Sequence, residues 1–372
     1  MEIVENIIIG AGPAGLAVAG RMKQDKIPFR IFEKSKYVAS SWHNHYDRLH
    51  LHTIKSSSHL PGLKFPKDYP TYVPRKKLIE YYEDYSKHFD IQPELEKEVL
   101  SVKSKDGGWQ ILTKEERIQA KNIIFATGIN RNPISPNWSG KEKFEGTILH
   151  SSKYKNPSPF HSKKVLVIGM GNTGAEIAFD LSENNVDTYL SVRSPVNIVP
   201  RDLNGNSVQA TSKILAKLPY GNWIGKKVAA LVIGDLSPYG LQMSKDYPAK
   251  QLMKTGKTPV IDIGTVKNIK NGKIKILTDL KSFKKNSICF IDDSEITFDA
   301  VILATGYRAG LEDFLVDTTN LFDENNYPKS PIGADKFKGL YFVGFDNYKL
   351  GGVLGTILTD SKTVVDEIAK GS

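Results

Sequence analysis

The sequence predicts an α/β chain made of two Rossmann-like dinucleotide-binding domains, each a layered ββα unit around a parallel sheet. Three observations lead there. A strand, glycine turn, helix and second strand run over residues 6–33; the same order returns over residues 164–193; and an Ala-Thr-Gly strand end occurs twice, at Ala126-Thr127-Gly128 and Ala304-Thr305-Gly306.

In the first copy, Ile7, Ile8 and Ile9 form an apolar β-branched run suited to a strand buried on both faces. Gly10-Ala11-Gly12-Pro13-Ala14-Gly15 follows. Its first glycine permits the tight turn, its second lets backbone approach a pyrophosphate, and its third packs the helix against the strand. The helix N-terminus then offers unpaired N–H groups to phosphate. The next strand, Phe29 to Phe32, ends at Glu33, where a carboxylate accepts hydrogen bonds from a ribose hydroxyl. In the second copy, Val165 to Ile168 lead into Gly169-Met170-Gly171-Asn172-Thr173-Gly174, and the strand Thr188 to Val192 ends at Arg193-Ser194. An acid at that strand end repels a 2′-phosphate, whereas an arginine beside a hydroxyl binds one. The second site is therefore expected to prefer NADPH over NADH.

The remaining chain is read in order. The segment from Ser40 to Thr53 carries Trp42, Arg48 and the histidines His43, His45, His50 and His52, with no cysteine or acidic cluster to complete a metal site. It reads as an extended stretch lining the first cofactor, with no metal. Pro61, Pro66, Pro70 and Pro74 enforce a loop. Leu78, Tyr81, Tyr82, Tyr85 and Phe89 recur at helical spacing. Residues 99–103, 108–113 and 117–125 read as an antiparallel meander placed before a last strand, 122–125. Small residues with glycine at that strand's end let the chain pass close to a bound cofactor. Residues 205–256 read as largely helical, with apolar positions Ile214, Leu215, Leu218, Trp223 and Ile224. Strands are expected at 259–263, 273–277, 288–291, 300–303 and 340–343, and a final helix begins near Gly352, its N-terminus favouring negative charge.

Composition narrows the class. The chain has 372 residues, 40% hydrophobic and 25% charged, with a formal net charge of +10. This is ordinary for a soluble protein large enough for two cores. The lysines are dispersed, so the charge reads as a basic surface attracting anionic cofactors rather than a nucleic-acid site. Cys289 is the lone cysteine, which excludes an intrachain disulfide and any paired-cysteine redox centre. The first strand follows Met1 closely, leaving no room for a signal peptide, and the apolar stretch Val228 to Ile233 is too short to span a bilayer. The expectation is a cytoplasmic protein without stable membrane insertion. A homodimer is compatible with it.

With these blocks in place, the chain resembles the class B flavoprotein monooxygenases nearly end to end. Phe144-Glu145-Gly146-Thr147-Ile148-Leu149-His150-Ser151-Ser152-Lys153-Tyr154 matches the family fingerprint FxGxxxHxxx(Y/F) at every fixed position. Baeyer–Villiger enzymes close that fingerprint with Trp, so Tyr154 points to the flavin-containing monooxygenase branch. Within it, Tyr46-Asp47-Arg48-Leu49, Phe65-Pro66, Pro70-Thr71-Tyr72, Gly256-Lys257-Thr258-Pro259-Val260 and Ala304-Thr305-Gly306-Tyr307 are similar to the plant indole-3-pyruvate monooxygenase (YUCCA) group. Residues 346–354 are more similar to short bacterial members. Where classical members carry an asparagine near the flavin, the nearest position here holds His52.

The resemblance implies FAD in one domain, residues 1–155 plus 307–372, and NADPH in the other, residues 156–306. Gly10, Gly12, Pro13, Ala14, Gly15, Glu33, Lys34, Trp42, Arg48, His50, Thr53, Val99, Ala126, Thr127, Gly128 and Asp346 would hold FAD. Gly169, Gly171, Asn172, Thr173, Gly174, Arg193 and Ser194 would hold NADPH, with Ala304, Thr305 and Gly306 lining the cofactor beside them. His52, Asn172 and Tyr154 are the candidates for groups acting in the reaction, His52 by tuning a proton, since histidine titrates near neutrality. The implied activity consumes NADPH and O₂ and inserts one oxygen atom into a small organic substrate: an amine, a thioether or a 2-oxo acid such as indole-3-pyruvate. Uncoupled NADPH oxidation or flavin reduction, Baeyer–Villiger oxygenation of a ketone, and a non-enzymatic redox-sensing flavoprotein remain alternatives at this stage.

Overall fold

The computed structural model describes residues 3–203, 205–208, 220–349 and 351–371, and the chain divides into two compact units. Unit 1 is Met1–Asn44, Thr53–Asn132 and Tyr307–Ser372; unit 2 is His45–His52 and Pro133–Gly306.

Unit 1 is organised around β1 (Ile3–Ile9), followed by α1 (Pro13–Gln24) and β2 (Arg30–Phe32). Next come α2 (Arg75–His88) and a meander of β3 (Val99–Lys105), β4 (Gly108–Thr113) and β5 (Arg117–Phe125). The sheet order is β2-β1-β5-β4-β3. The third meander strand and the expected last strand are one continuous element. β5 pairs antiparallel with β4 through Arg117–Ala120 and parallel with β1 through Gln119–Phe125. Its first half alternates exposed and buried residues, whereas Asn122 to Phe125 are all buried, so one strand serves a half-solvated sheet and then a fully covered one. Ile7 and Ile123 are fully buried, in a core with Phe32, Phe125 and Phe342.

Unit 2 repeats the plan. β6 (Thr147–His150) precedes β7 (Lys164–Ile168), α3 (Asn172–Ser182) and β8 (Asp187–Ser191). Helices α4 (Gly221–Ile233) and α5 (Pro248–Thr255) follow, then β9 (Ile274–Leu277). A meander of β10 (Leu280–Phe283), β11 (Ser287–Phe290) and β12 (Glu295–Thr297) leads into β13 (Ala300–Leu303). The five-stranded sheet runs β9-β8-β7-β13-β6, and every pairing in it is parallel. Sequence reading found a strand within this meander only at residues 288–291, because β10 and β12 are short and polar.

Two further differences follow from pairing. Residues 133–155, read with the FAD-binding part, fall in unit 2, because β6 pairs with β13 from Thr147↔Ala300 to His150↔Leu303. The segment His45–His52 also falls in unit 2, through its contacts with α3. Of the residues read as helical between 205 and 256, Ile214, Leu215 and Leu218 lie outside the described residues. Trp223 and Ile224 are on α4 but exposed rather than in the core.

Back in unit 1, β14 (Leu340–Phe342) pairs parallel with β5, and α6 (Gly352–Lys370) closes the chain. Among the described residues no helix is long and apolar enough to cross a membrane.

Candidate active site

The two glycine turns are near copies in their backbone. Gly10 has φ +105° and Gly169 φ +102°, a left-handed conformation that favours glycine. Gly10 N–H donates to the Phe32 carbonyl at 2.7 Å, and Gly169 N–H to the Ser191 carbonyl at 3.0 Å. A Cβ on Gly15 would lie 1.8 Å from the Gly10 carbonyl oxygen, and one on Gly174 1.9 Å from that of Gly169. Neither position has room for a side chain. Gly12 and Gly171 differ: a Cβ there meets nothing within 4 Å. Open space over the second glycine, at a helix N-terminus, is what a pyrophosphate needs. Pro13 and Ala14 form the first turn of α1, Asn172 and Thr173 that of α3.

The strand ends bring the Ala-Thr-Gly segments to these turns. Ala126 N–H donates to the Ile9 carbonyl and Ala304 N–H to that of Ile168, both at 2.9 Å. Gly128 and Gly306 both have positive φ. The threonines differ. Thr305 Oγ1 donates to the Ile134 carbonyl at 2.5 Å, whereas Thr127 Oγ1 is buried with no partner among the described residues. A buried hydroxyl without a partner costs roughly 1–3 kcal/mol, so it suits a ligand atom. With the space over Gly12, it makes unit 1 fit a dinucleotide.

Glu33 is buried and holds this turn as well as facing it: its Oε2 accepts from Ala11 N–H at 2.9 Å, and its Oε1 from Ser35 N–H at 3.0 Å and Ser35 Oγ at 2.6 Å. Each carboxylate oxygen accepts more than one donor, so Oε2 has capacity for a ribose hydroxyl. Lys34 is exposed. Val99 pairs with Thr113 at the start of β3, its side chain in the unit 1 core. Trp42, on the short helix Ser40–Asn44, lies 6.1 Å from the Tyr82 ring. Thr53 Oγ1 shares a 2.6 Å hydrogen bond with Ser58 Oγ, and its methyl group lies 3.6 Å from where a Cβ on Gly352, at the start of α6, would stand. Asp346 pairs with Lys349 at 2.7 Å. In unit 2, Arg193 and Ser194 are exposed just beyond β8, and the Arg193 guanidinium has no hydrogen bond or ion pair among the described residues.

Sequence reading missed the acceptors of the 46–52 segment. Tyr46 donates its hydroxyl to Glu176 Oε2 at 2.8 Å, and His52 Nε2 bonds Glu176 Oε1. Arg48 Nη1 donates to Asp180 Oδ1 at 3.1 Å, and Tyr154 donates its hydroxyl to Asp180 Oδ2 at 2.7 Å. Glu176 and Asp180 are 2% and 7% exposed, one turn apart on α3, so they share a helix face. The signal in the sequence is two acids at that spacing between Ala175, Ile177, Ala178 and Leu181. Burial first, then the Glu176 carboxylate, holds the Tyr46 phenol well above its usual range; burial, then Asp180, does the same for Tyr154. Both phenols therefore stay protonated and donate. His50 is exposed, its Nδ1 2.5 Å from the Arg48 carbonyl oxygen. Asn172 spans to the 258–261 segment, donating to Thr258 Oγ1 and the Pro259 carbonyl and accepting from Ile261 N–H.

Comparison with known proteins gives the family. The model of the pyridine nucleotide-disulphide oxidoreductase family matches residues 7–210. A probable indole-3-pyruvate monooxygenase, YUCCA9 of Arabidopsis thaliana, is 38% identical over 361 residues, 93% of this chain and 85% of the relative. The chain belongs to the YUCCA-type family of flavoprotein monooxygenases. The indole-3-pyruvate monooxygenase YUCCA8 of Oryza sativa is 37% identical over 367 residues, covering 93% of this monooxygenase and 87% of the relative. Among solved structures, a flavin-containing monooxygenase from Stenotrophomonas maltophilia has a TM-score of 0.77 at 19% identity, covering 100% of this chain and 99% of its own. OTEMO in complex with FAD and NADP has a TM-score of 0.76 at 17% identity, covering 99% and 85%. The cofactors of this monooxygenase are FAD and NADPH. Its lone Cys289 supplies no disulfide partner for the reductase chemistry in the family model's description.

Proposed function

We propose that this monooxygenase uses O₂ and NADPH to decarboxylate a small 2-oxo acid of the indole-3-pyruvate type oxidatively. One oxygen atom enters the substrate, so that R–CO–COOH, O₂, NADPH and H⁺ become R–COOH, CO₂, NADP⁺ and H₂O. The observation that carries the reading is the contrast between two matching turns: a buried acid, Glu33, closes the first, and an exposed Arg193, with no partner among the described residues, closes the second. That contrast supports FAD in unit 1 and NADPH in unit 2. The choice of a 2-oxo acid rests on relatives named for indole-3-pyruvate.

Bound flavin supplies the oxygen-activating chemistry and NADPH the hydride. The chain's own residues do the rest. Backbone at Gly10–Gly15 and at Gly169–Gly174 binds each pyrophosphate; Thr127 donates its free hydroxyl to FAD; Arg193 and Ser194 take the 2′-phosphate. Among the candidates for direct action, His52 manages a proton. Asn172 braces the start of α3 against residues 258–261, and Tyr154, 1% exposed, braces Asp180. We place the enzyme in the cytoplasm, acting on a dissolved substrate.

The test is NADPH consumption with H₂O₂ measured in parallel, across indole-3-pyruvate, amines, sulfides and ketones. Indole-3-pyruvate is expected to suppress peroxide release and yield CO₂. Suppression by a sulfide or amine instead moves the substrate class, and suppression by none reassigns the protein as an NADPH oxidase.

A further inference from the structure

Both buried carboxylates of α3 point at one short piece of chain. Glu176 receives Tyr46 on Oε2 and His52 on Oε1, and Asp180 receives Arg48 and Tyr154. The Arg48 guanidinium also lies 4.5 Å from the Phe179 ring centroid. Buried acids are costly unless charge and hydrogen bonds meet them, and here each carboxylate oxygen is met. Asp180 has the permanent charge of Arg48. For Glu176, Tyr46 brings a neutral phenol and His52 brings the imidazole, so the charged group bonded to His52 is Glu176, from α3.

This arrangement decides which ring nitrogen of His52 is available. A carboxylate that already accepts from a phenol can only accept from the ring, so Nε2 carries hydrogen. Nδ1 has no partner among the described residues. We propose that Glu176 is a positioning residue that commits His52 to the Nε2–H tautomer, so that any proton His52 gives or takes passes through Nδ1. The functional half of this rests on the reading above that His52 manages a proton; the tautomer half does not. A carboxylate holding a histidine in one tautomer is a common device at metal sites, where losing such a partner costs about 10–100-fold in metal affinity or activity. In this chain the carboxylate comes from the helix that opens at the second glycine turn.

The experiment is ¹⁵N-histidine NMR of the FAD-loaded enzyme, with the His52 signal assigned from its disappearance in His52→Gln. Wild type should show protonated Nε2 and unprotonated Nδ1 above the histidine's titration; the opposite pattern overturns the proposal without any variant having to fold. In Glu176→Gln the amide N–H can donate to the ring, so the Nδ1–H form should appear; an unchanged pattern overturns the proposal. Tyr46→Phe keeps the carboxylate and should keep the Nε2–H form, which separates the carboxylate from general packing. In turnover, Glu176→Gln should raise peroxide release relative to product about 10–100-fold and change the pH profile of that ratio. A switched tautomer with unchanged coupling in both Glu176→Gln and His52→Gln removes His52 from the reaction while leaving the tautomer assignment intact.

Discussion

At the scale of single residues, the proposed choice between the two cofactors rests on Glu33 and Arg193. The glycine turns cannot make it, because their backbones are alike to within a few degrees at Gly10 and Gly169. Arg193 is exposed and has no partner among the described residues, so its removal should leave the fold unchanged. A charge-assisted bond to phosphate contributes roughly 1.5–3 kcal/mol, which is about 10–100-fold in binding. Arg193→Ala should therefore raise the KM for NADPH by about that factor and leave the KM for NADH nearly unchanged; steady-state kinetics with both cofactors checks it, and an equal rise for both defeats the assignment. Both residues were legible in the sequence because each stands at the end of a strand with a clear period. Glu176 was not, since a buried acid on an apolar helix acquires meaning only from partners distant in the chain, here Tyr46 and His52. Tyr154 was legible as part of a fingerprint, but the fingerprint says nothing of burial, and the structure puts its ring in the core.

At the scale of elements, glycines of one motif carry different constraints, and substitutions separate them. Alanine is a better helix former than glycine by about 1 kcal/mol, which favours Gly174→Ala within α3. The clash overrides this, because a Cβ 1.9 Å from the Gly169 carbonyl oxygen forces the turn apart. Gly174→Ala should destabilise the protein by several kcal/mol, on the scale of overpacking against rigid backbone. Gly171→Ala should keep the thermal midpoint within a degree or two, since its Cβ meets no protein atom, yet weaken NADPH binding by filling the pyrophosphate's space. Thermal denaturation beside NADP⁺ titration checks the pair; equal losses of stability would show the motif to be a uniform structural turn. Elements with long periods, such as α2, were readable from sequence alone. β6 was not: its four residues carry a fingerprint read for its family rather than for its strand pairing, and only the partner β13 reveals the parallel ladder. Likewise β5 was read as two elements because its burial pattern changes halfway along.

At the scale of the whole molecule, the two units have separate apolar cores: one around Ile7, Ile123 and Phe342, the others around Val167, Ile177 and Leu190 and around Leu166, Ile288 and Val301. Domains with their own cores open as separate cooperative units, and a ligand that binds only the closed form slows that opening. At a ligand concentration about 100 times Kd the gain is roughly 2.7 kcal/mol, or about 100-fold in exchange through that opening. Saturating NADP⁺ should thus protect the amides of β7, β8 and β13 about 100-fold in hydrogen exchange while leaving β1 and β5 little changed. Removing FAD should do the reverse, deprotecting β1 and β5 most. The assignment of one dinucleotide to each unit predicts this reciprocity, whereas a single shared opening would protect both sheets equally with either ligand. The amides of Ala11 and Ser35 sharpen the comparison. Both donate to Glu33, so their protection reports whether that carboxylate keeps its hold on the first glycine turn when FAD leaves. Retained protection there would mean that unit 1 is preorganised for the flavin by Glu33 itself, and that binding needs to order only the groups the structure leaves unpartnered, Thr127 first among them.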